Sequence, residues 1–85
     1  MPEISRFLGI VIGIFYSEHG VAHFHAVYGE HEVSVEVESG RIHGQFPARA
    51  LRLVLEWAEL HKEELLENWE LARKGQPLKY IAPLE

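Results

Sequence analysis

At 85 residues, 47% of them hydrophobic and 25% charged, the chain is long enough to bury a small core and too apolar to stay disordered. It has no cysteine, which excludes a disulfide scaffold, a thiolate metal site and a cysteine nucleophile. Eight Lys and Arg against thirteen acids, all of them Glu, leave a net charge of −5, the reverse of the balance that carries nonspecific phosphate binding.

A single domain over 1–85 is expected, with an apolar, Gly-punctuated front half and a Glu- and Leu-rich back half that read as strands followed by helix. The longest apolar run, 8–16, is too short to span a bilayer and lacks the flanks of a cleaved leader, so a cytoplasmic protein without membrane contact is expected. In chain order, the first strand is read over 7–16, where Leu8, Ile10, Ile12, Ile14 and Tyr16 form one apolar face. A loop follows around 17–22. The second strand, 23–28, puts Phe24, Ala26 and Tyr28 on one face and His23, His25 and Val27 on the other. The third, 31–38, alternates Val33, Val35 and Val37 with polar residues, and the fourth, 41–46, turns Ile42 and Phe46 inward.

Gly29-Glu30 and Ser39-Gly40 read as two-residue hairpin turns, which fixes a register. Ala26 then faces Val33, Phe24 faces Val35, His25 faces Ser34 and His23 faces Glu36. On the other side of the third strand, Val37 faces Ile42, Val33 faces Phe46, Glu36 faces His43 and Ser34 faces Gln45. Pro47 suits a helix start, and Arg73, Lys74, Gly75 and Pro77 suit its end, so one helix is read over 47–74, with a tail over 75–85. Leu51, Val54, Leu55, Ala58, Leu65, Trp69 and Ala72 form the stripe that would lie on the sheet. Leu53, Trp57 and Leu60 point away from it and need another cover, for which the tail is the favoured candidate. A straight helix of that span would be about 40 Å long, so it overhangs or bends near His61. The fold class is therefore α+β: a four-stranded, mainly antiparallel sheet covered on one face by one long, kink-prone C-terminal helix.

His23-Phe24-His25 is the motif that points to chemistry, because a strand sets residues two apart on one face. With the register above, His23, Glu36 and His43 form a row across three strands, and two His with one carboxylate is a ligand set for Zn or Fe as well as a candidate acid and base pair. The plainer account is a polar solvent face whose His and Glu pair across strands. A flat row spreads its outer two side chains about 10 Å apart at Cβ, so no tight metal is expected there, and Glu36 is expected to accept hydrogen bonds from one or both His. His23, His25, Glu36 and His43 together make the candidate binding surface. His19, His31 and His61 read as loop or edge residues. The run Glu56, Glu59, Glu63, Glu64, Glu67 and Glu70 reads as a solvated helix face or a dock for a basic partner.

Met1-Pro2, Ser5-Arg6-Phe7, Gly9-Ile10-Val11, His23-Phe24-His25, Tyr28-Gly29-Glu30, Leu53-Val54-Leu55-Glu56-Trp57 and Glu64-Leu65-Leu66-Glu67-Asn68-Trp69, with Ala72, Pro77-Leu78 and Ile81, together resemble the prokaryotic domain-of-unknown-function family 4160. Where that family shows Pro-Pro before its His-Phe-His, this chain has Val21-Ala22. The resemblance marks His23 and His25 as candidate functional or catalytic residues and implies a small prokaryotic cytoplasmic protein encoded beside a second small protein, as toxin and antitoxin pairs are. The expected function is a protein-binding or regulatory component of such a two-gene module, not an enzyme, with no cofactor. Its partner would be the neighbouring gene's product or a second copy. The alternative is an RNA-cleaving toxin or a metal-dependent enzyme using the histidines on the open sheet face, and the RNA reading would need an electropositive patch around Arg6, Arg41, Arg49 and Arg52.

Overall fold

The alternation His, Phe, His, Ala, Val, Tyr makes β3 (His23–Tyr28), and Gly29-Glu30 turns it straight into β4 (His31–Glu36). A computed structural model describes residues 1–85. The β3/β4 register is the one the turn predicts: Ala26 opposite Val33, Phe24 opposite Val35, His25 opposite Ser34 and His23 opposite Glu36. Phe24, Ala26, Val33 and Val35 are buried, and the histidines take the other face.

Five strands, not four, form the sheet, in an antiparallel meander of order β1-β2-β3-β4-β5. The apolar run read as one strand over 7–16 is a hairpin, with β1 (Glu3–Phe7) and β2 (Ile10–Gly13) joined by Leu8 and Gly9. Both turn residues have left-handed backbones, φ 51° and 83°, as a tight hairpin matching the strand twist requires. Glycine takes that conformation freely and leucine at a cost, which is why Leu8 disguises the turn as strand. Leu8 is 63% exposed and so gains little from burial. Leu8→Asn is expected to raise stability by about 0.5–1 kcal/mol, read by urea denaturation, because asparagine tolerates this conformation far better.

The last pairing also departs from expectation. In β5 (Ile42–Gln45), Ile42 faces Val35, His43 faces Ser34, Gly44 faces Val33 and Gln45 faces Glu32, a slip of two residues that preserves every face. The two-residue turn is replaced by a wider loop in which Ser39 Oγ accepts from the Arg41 N–H and donates to Glu36. Side-chain bonding of this kind outcompetes the next ladder rungs. Val37 N–H goes instead to Ala22 O, extending the β3/β4 ladder.

The single helix read over 47–74 is two, α1 (Ala48–Leu60) and α2 (Lys62–Arg73), broken at His61 (φ −119°, ψ 28°). A continuous helix of about 40 Å would outrun a molecule whose longest extent is 33 Å. The residues assigned to the far face divide, because α1 by itself centres its buried stripe on Ala50, Val54 and Trp57. Trp57 is fully buried against Phe7 and Phe24, while Leu53 is half-buried and Leu60 stays 66% exposed. Ala50, Val54, Trp57, Leu65, Asn68, Trp69 and Ala72 are the buried helical positions; Leu51, Leu55 and Ala58 are half-buried. The tail returns across β1 and the helices: Ile81 N–H donates to Ile4 O, and the Trp57 indole donates to Ala82 O.

Candidate metal centre

Strand alternation sends His23 and His25 to the face opposite Trp57, and the loop between β2 and β3 folds over them. Ser17 (φ 64°) and Gly20 (φ 93°) are left-handed in that loop and set the turns that bring Glu18 down onto the imidazoles. Glu18 Oε1 lies 2.9 Å from His23 Nε2 and 2.7 Å from His25 Nε2. Of the outer nitrogens, that of His23 is also bonded. His23 Nδ1–H donates to Val21 O at 2.9 Å, and His25 Nδ1 faces Glu32 Oε2 at 3.6 Å. Trp69 of α2 lies against the His23 ring and Phe15 stands edge-on to His25, with centroids 4.9 and 4.8 Å apart. The pair is therefore half-buried beneath a loop and beside α2, not spread on an open face.

Burial acts to raise the Glu18 pKa, but the hydrogen bonds from His25 and His23, with their charges, outweigh it and hold the carboxyl below its ordinary 4.5. Glu18 is thus an anion with two ring nitrogens converging on one oxygen. One ligand atom each from Glu18, His23 and His25 lies within 4.8 Å of the others. A tetrahedral ion at about 2.0–2.2 Å from each would set such atoms about 3.3 Å apart, so modest side-chain shifts convert the cluster into a coordination shell. Val21 O accepts the Nδ1 proton of His23, which leaves Nε2 as the ring nitrogen aimed at the Glu18 carboxylate. An outer nitrogen held by a carbonyl, as at His23, is an arrangement that orients metal-ligating histidines.

The row His23, Glu36, His43 is only partly assembled. His43 Nε2 bonds Glu36 Oε2 at 2.9 Å, reaching diagonally from its slipped register, whereas His23 turns to Glu18 although it stands opposite Glu36. Glu36 therefore accepts from one His, as expected, and from Ser39 as its second partner. These two bonds, His43 first, hold Glu36 below its ordinary 4.5. A depressed carboxylate stabilises the fold above its unfolded value and loses that contribution as pH falls through its folded value. The stability difference between wild type and Glu36→Gln is accordingly expected to shrink as pH falls below about 4.5, checked by urea denaturation at several pH values.

His19 and His31 are exposed, and His61 Nδ1–H donates to Glu64 at the start of α2. Arg6, paired to Glu3, and Arg41 lie at opposite edges of the sheet, so those two form no common basic patch. Glu18 is the residue that sequence reasoning missed. Its signal was a carboxylate five positions before His-x-His with Gly20 between them to permit a reversal.

No curated protein and no solved structure matches the chain. The family described as Domain of unknown function (DUF4160) matches residues 9–70, which include every residue of the cluster and both helices up to Glu70. The chain belongs to that family.

Proposed function

We propose that the domain binds a divalent transition-metal ion through Glu18, His23 and His25 and keeps the remaining coordination positions for water or a ligand. The observation that carries this is the convergence of three ligand atoms within 4.8 Å while the outer His23 nitrogen is committed to Val21 O. Two imidazoles and one carboxylate suit Zn with an open fourth position or a six-coordinate Fe(II) centre, and an ion so held acts as a Lewis acid that lowers the pKa of bound water. The proposed ligands come from the loop and β3, and His43 has no part. Titration calorimetry with Zn at neutral pH tests it: one site per chain with micromolar or tighter affinity, abolished in Glu18→Gln, is the expected result. Absence of binding, or binding unchanged by Glu18→Gln, contradicts it.

A protein-binding role in a toxin-antitoxin-like pair is a second reading, supported by the uniformly exposed Glu56, Glu59, Glu63, Glu67 and Glu70 on the helices. Co-purification of the neighbouring gene's product with wild type, lost on replacing Glu63, Glu67 and Glu70 by Lys, is its expected result. Retention by the charge-reversed protein contradicts it.

A further inference from the structure

The tail 77–84 buries every third residue. Ile81 is 1% exposed and Leu78 and Leu84 pack partly buried on the core, while Lys79, Tyr80, Ala82 and Pro83 are exposed. A period of three is that of polyproline II, not of a strand or an α-helix, and Pro77 and Pro83 flank the segment. Such a chain makes no internal hydrogen bonds, so its backbone groups need outside partners. The body of the protein supplies them. The Asn68 side chain clamps both backbone groups of Lys79, its Nδ2 donating to Lys79 O and its Oδ1 accepting from Lys79 N, each at 2.8 Å. Ile4 O accepts from Ile81 N–H at 2.7 Å, and the Trp57 indole donates to Ala82 O at 2.9 Å.

These receptor groups sit on fixed elements. Asn68 is 1% exposed, and Trp57 and Ile4 are fully buried. The Asn68 amide, in the middle of α2, has its nitrogen and its oxygen both committed to the backbone of the extended chain laid across it. Recognition is thus directed at main chain, with apolar contacts at three positions. At the rim Glu67 pairs with Lys79 at 2.6 Å, and Glu3, which also pairs with Arg6, accepts from Tyr80 Oη at 3.4 Å.

We propose that this groove is a docking site for a basic, proline-containing extended segment of a partner protein, with the chain's own tail as its built-in competitor. The tail shows the fit: counted from Leu78, apolar residues at the first, fourth and seventh positions and a cation at the second, with proline near each end. A short tether gives the tail an effective concentration in the millimolar range, so a partner segment gains access when the tail is weakened or outmatched. The inference is independent of the metal centre.

The test uses the full chain and a labelled peptide with the sequence of residues 76–85. Ile81→Ser, which weakens the tail, is expected to bind the peptide at least tenfold more tightly than wild type does, and the further change Asn68→Ala is expected to abolish binding. A natively folded Ile81→Ser protein that fails to bind, or binds a scrambled peptide equally, overturns the proposal. So does a variant that only exchanges tails between copies, seen as dimer by sedimentation without peptide uptake. If Ile81→Ser does not fold, wild type with millimolar peptide decides by NMR: shifts of the Trp57 indole and Asn68 amide signals support the groove, and their absence refutes it.

Discussion

Replacing His25 by alanine is expected to lower Zn affinity at least about 100-fold, since even groups that merely orient a ligand are worth about 10–100-fold. His43→Ala is expected to leave affinity unchanged. The contrast separates the two geometries the sequence allows, because a row across β3, β4 and β5 needs His43 and a pocket beneath the β2–β3 loop does not. Half-burial of His25 away from the main core predicts that its loss costs little folding stability, so the two variants compare at equal foldedness. Metal titration followed by Co(II) absorption is the check, and equal losses in the two variants would mean that the ion sits on the open row.

The largest stability effect is expected at Trp57. Trp57→Ala should cost about 3–5 kcal/mol, roughly 12–40 °C in Tm for a domain of this size, because it empties the space between Phe7 and Phe24 and leaves Ala82 O without its donor. Leu60→Ala, three positions on in the same helix, should change stability by less than about 0.5 kcal/mol. Thermal unfolding by circular dichroism measures both. Similar costs would place the two residues on one covered face, as a continuous helix would have it.

What could be read from the sequence follows the strength of the local rules. The β3/β4 hairpin was legible because Gly29 announces the turn and Val33 and Val35 alternate with polar residues. The β1/β2 hairpin was hidden because Leu8, a poor turn former, occupies the first left-handed position. The β4/β5 slip escaped because side-chain bonding by Ser39 widens a loop that spacing alone reads as tight. Helix identity was clear from periodicity, but one stripe drawn through both helices put Trp57 on the far side, whereas α1 by itself buries Ala50, Val54 and Trp57. The tail's role as cover was anticipated, although it shields Trp57 and leaves Leu60 in water. At the site, His-x-His was visible and its carboxylate was not, since Glu18 arrives through a loop with no periodic pattern and meets the histidines only after Ser17 and Gly20 reverse the chain.

Anomalous diffraction at the Zn edge from crystals grown with the metal tests the central claim most directly. The account predicts one strong peak within bonding distance, about 2.0–2.2 Å, of Glu18 Oε1, His23 Nε2 and His25 Nε2, with at least one further position taken by solvent. A peak bridging Glu36 and His43 instead, or none at saturating Zn, would contradict it.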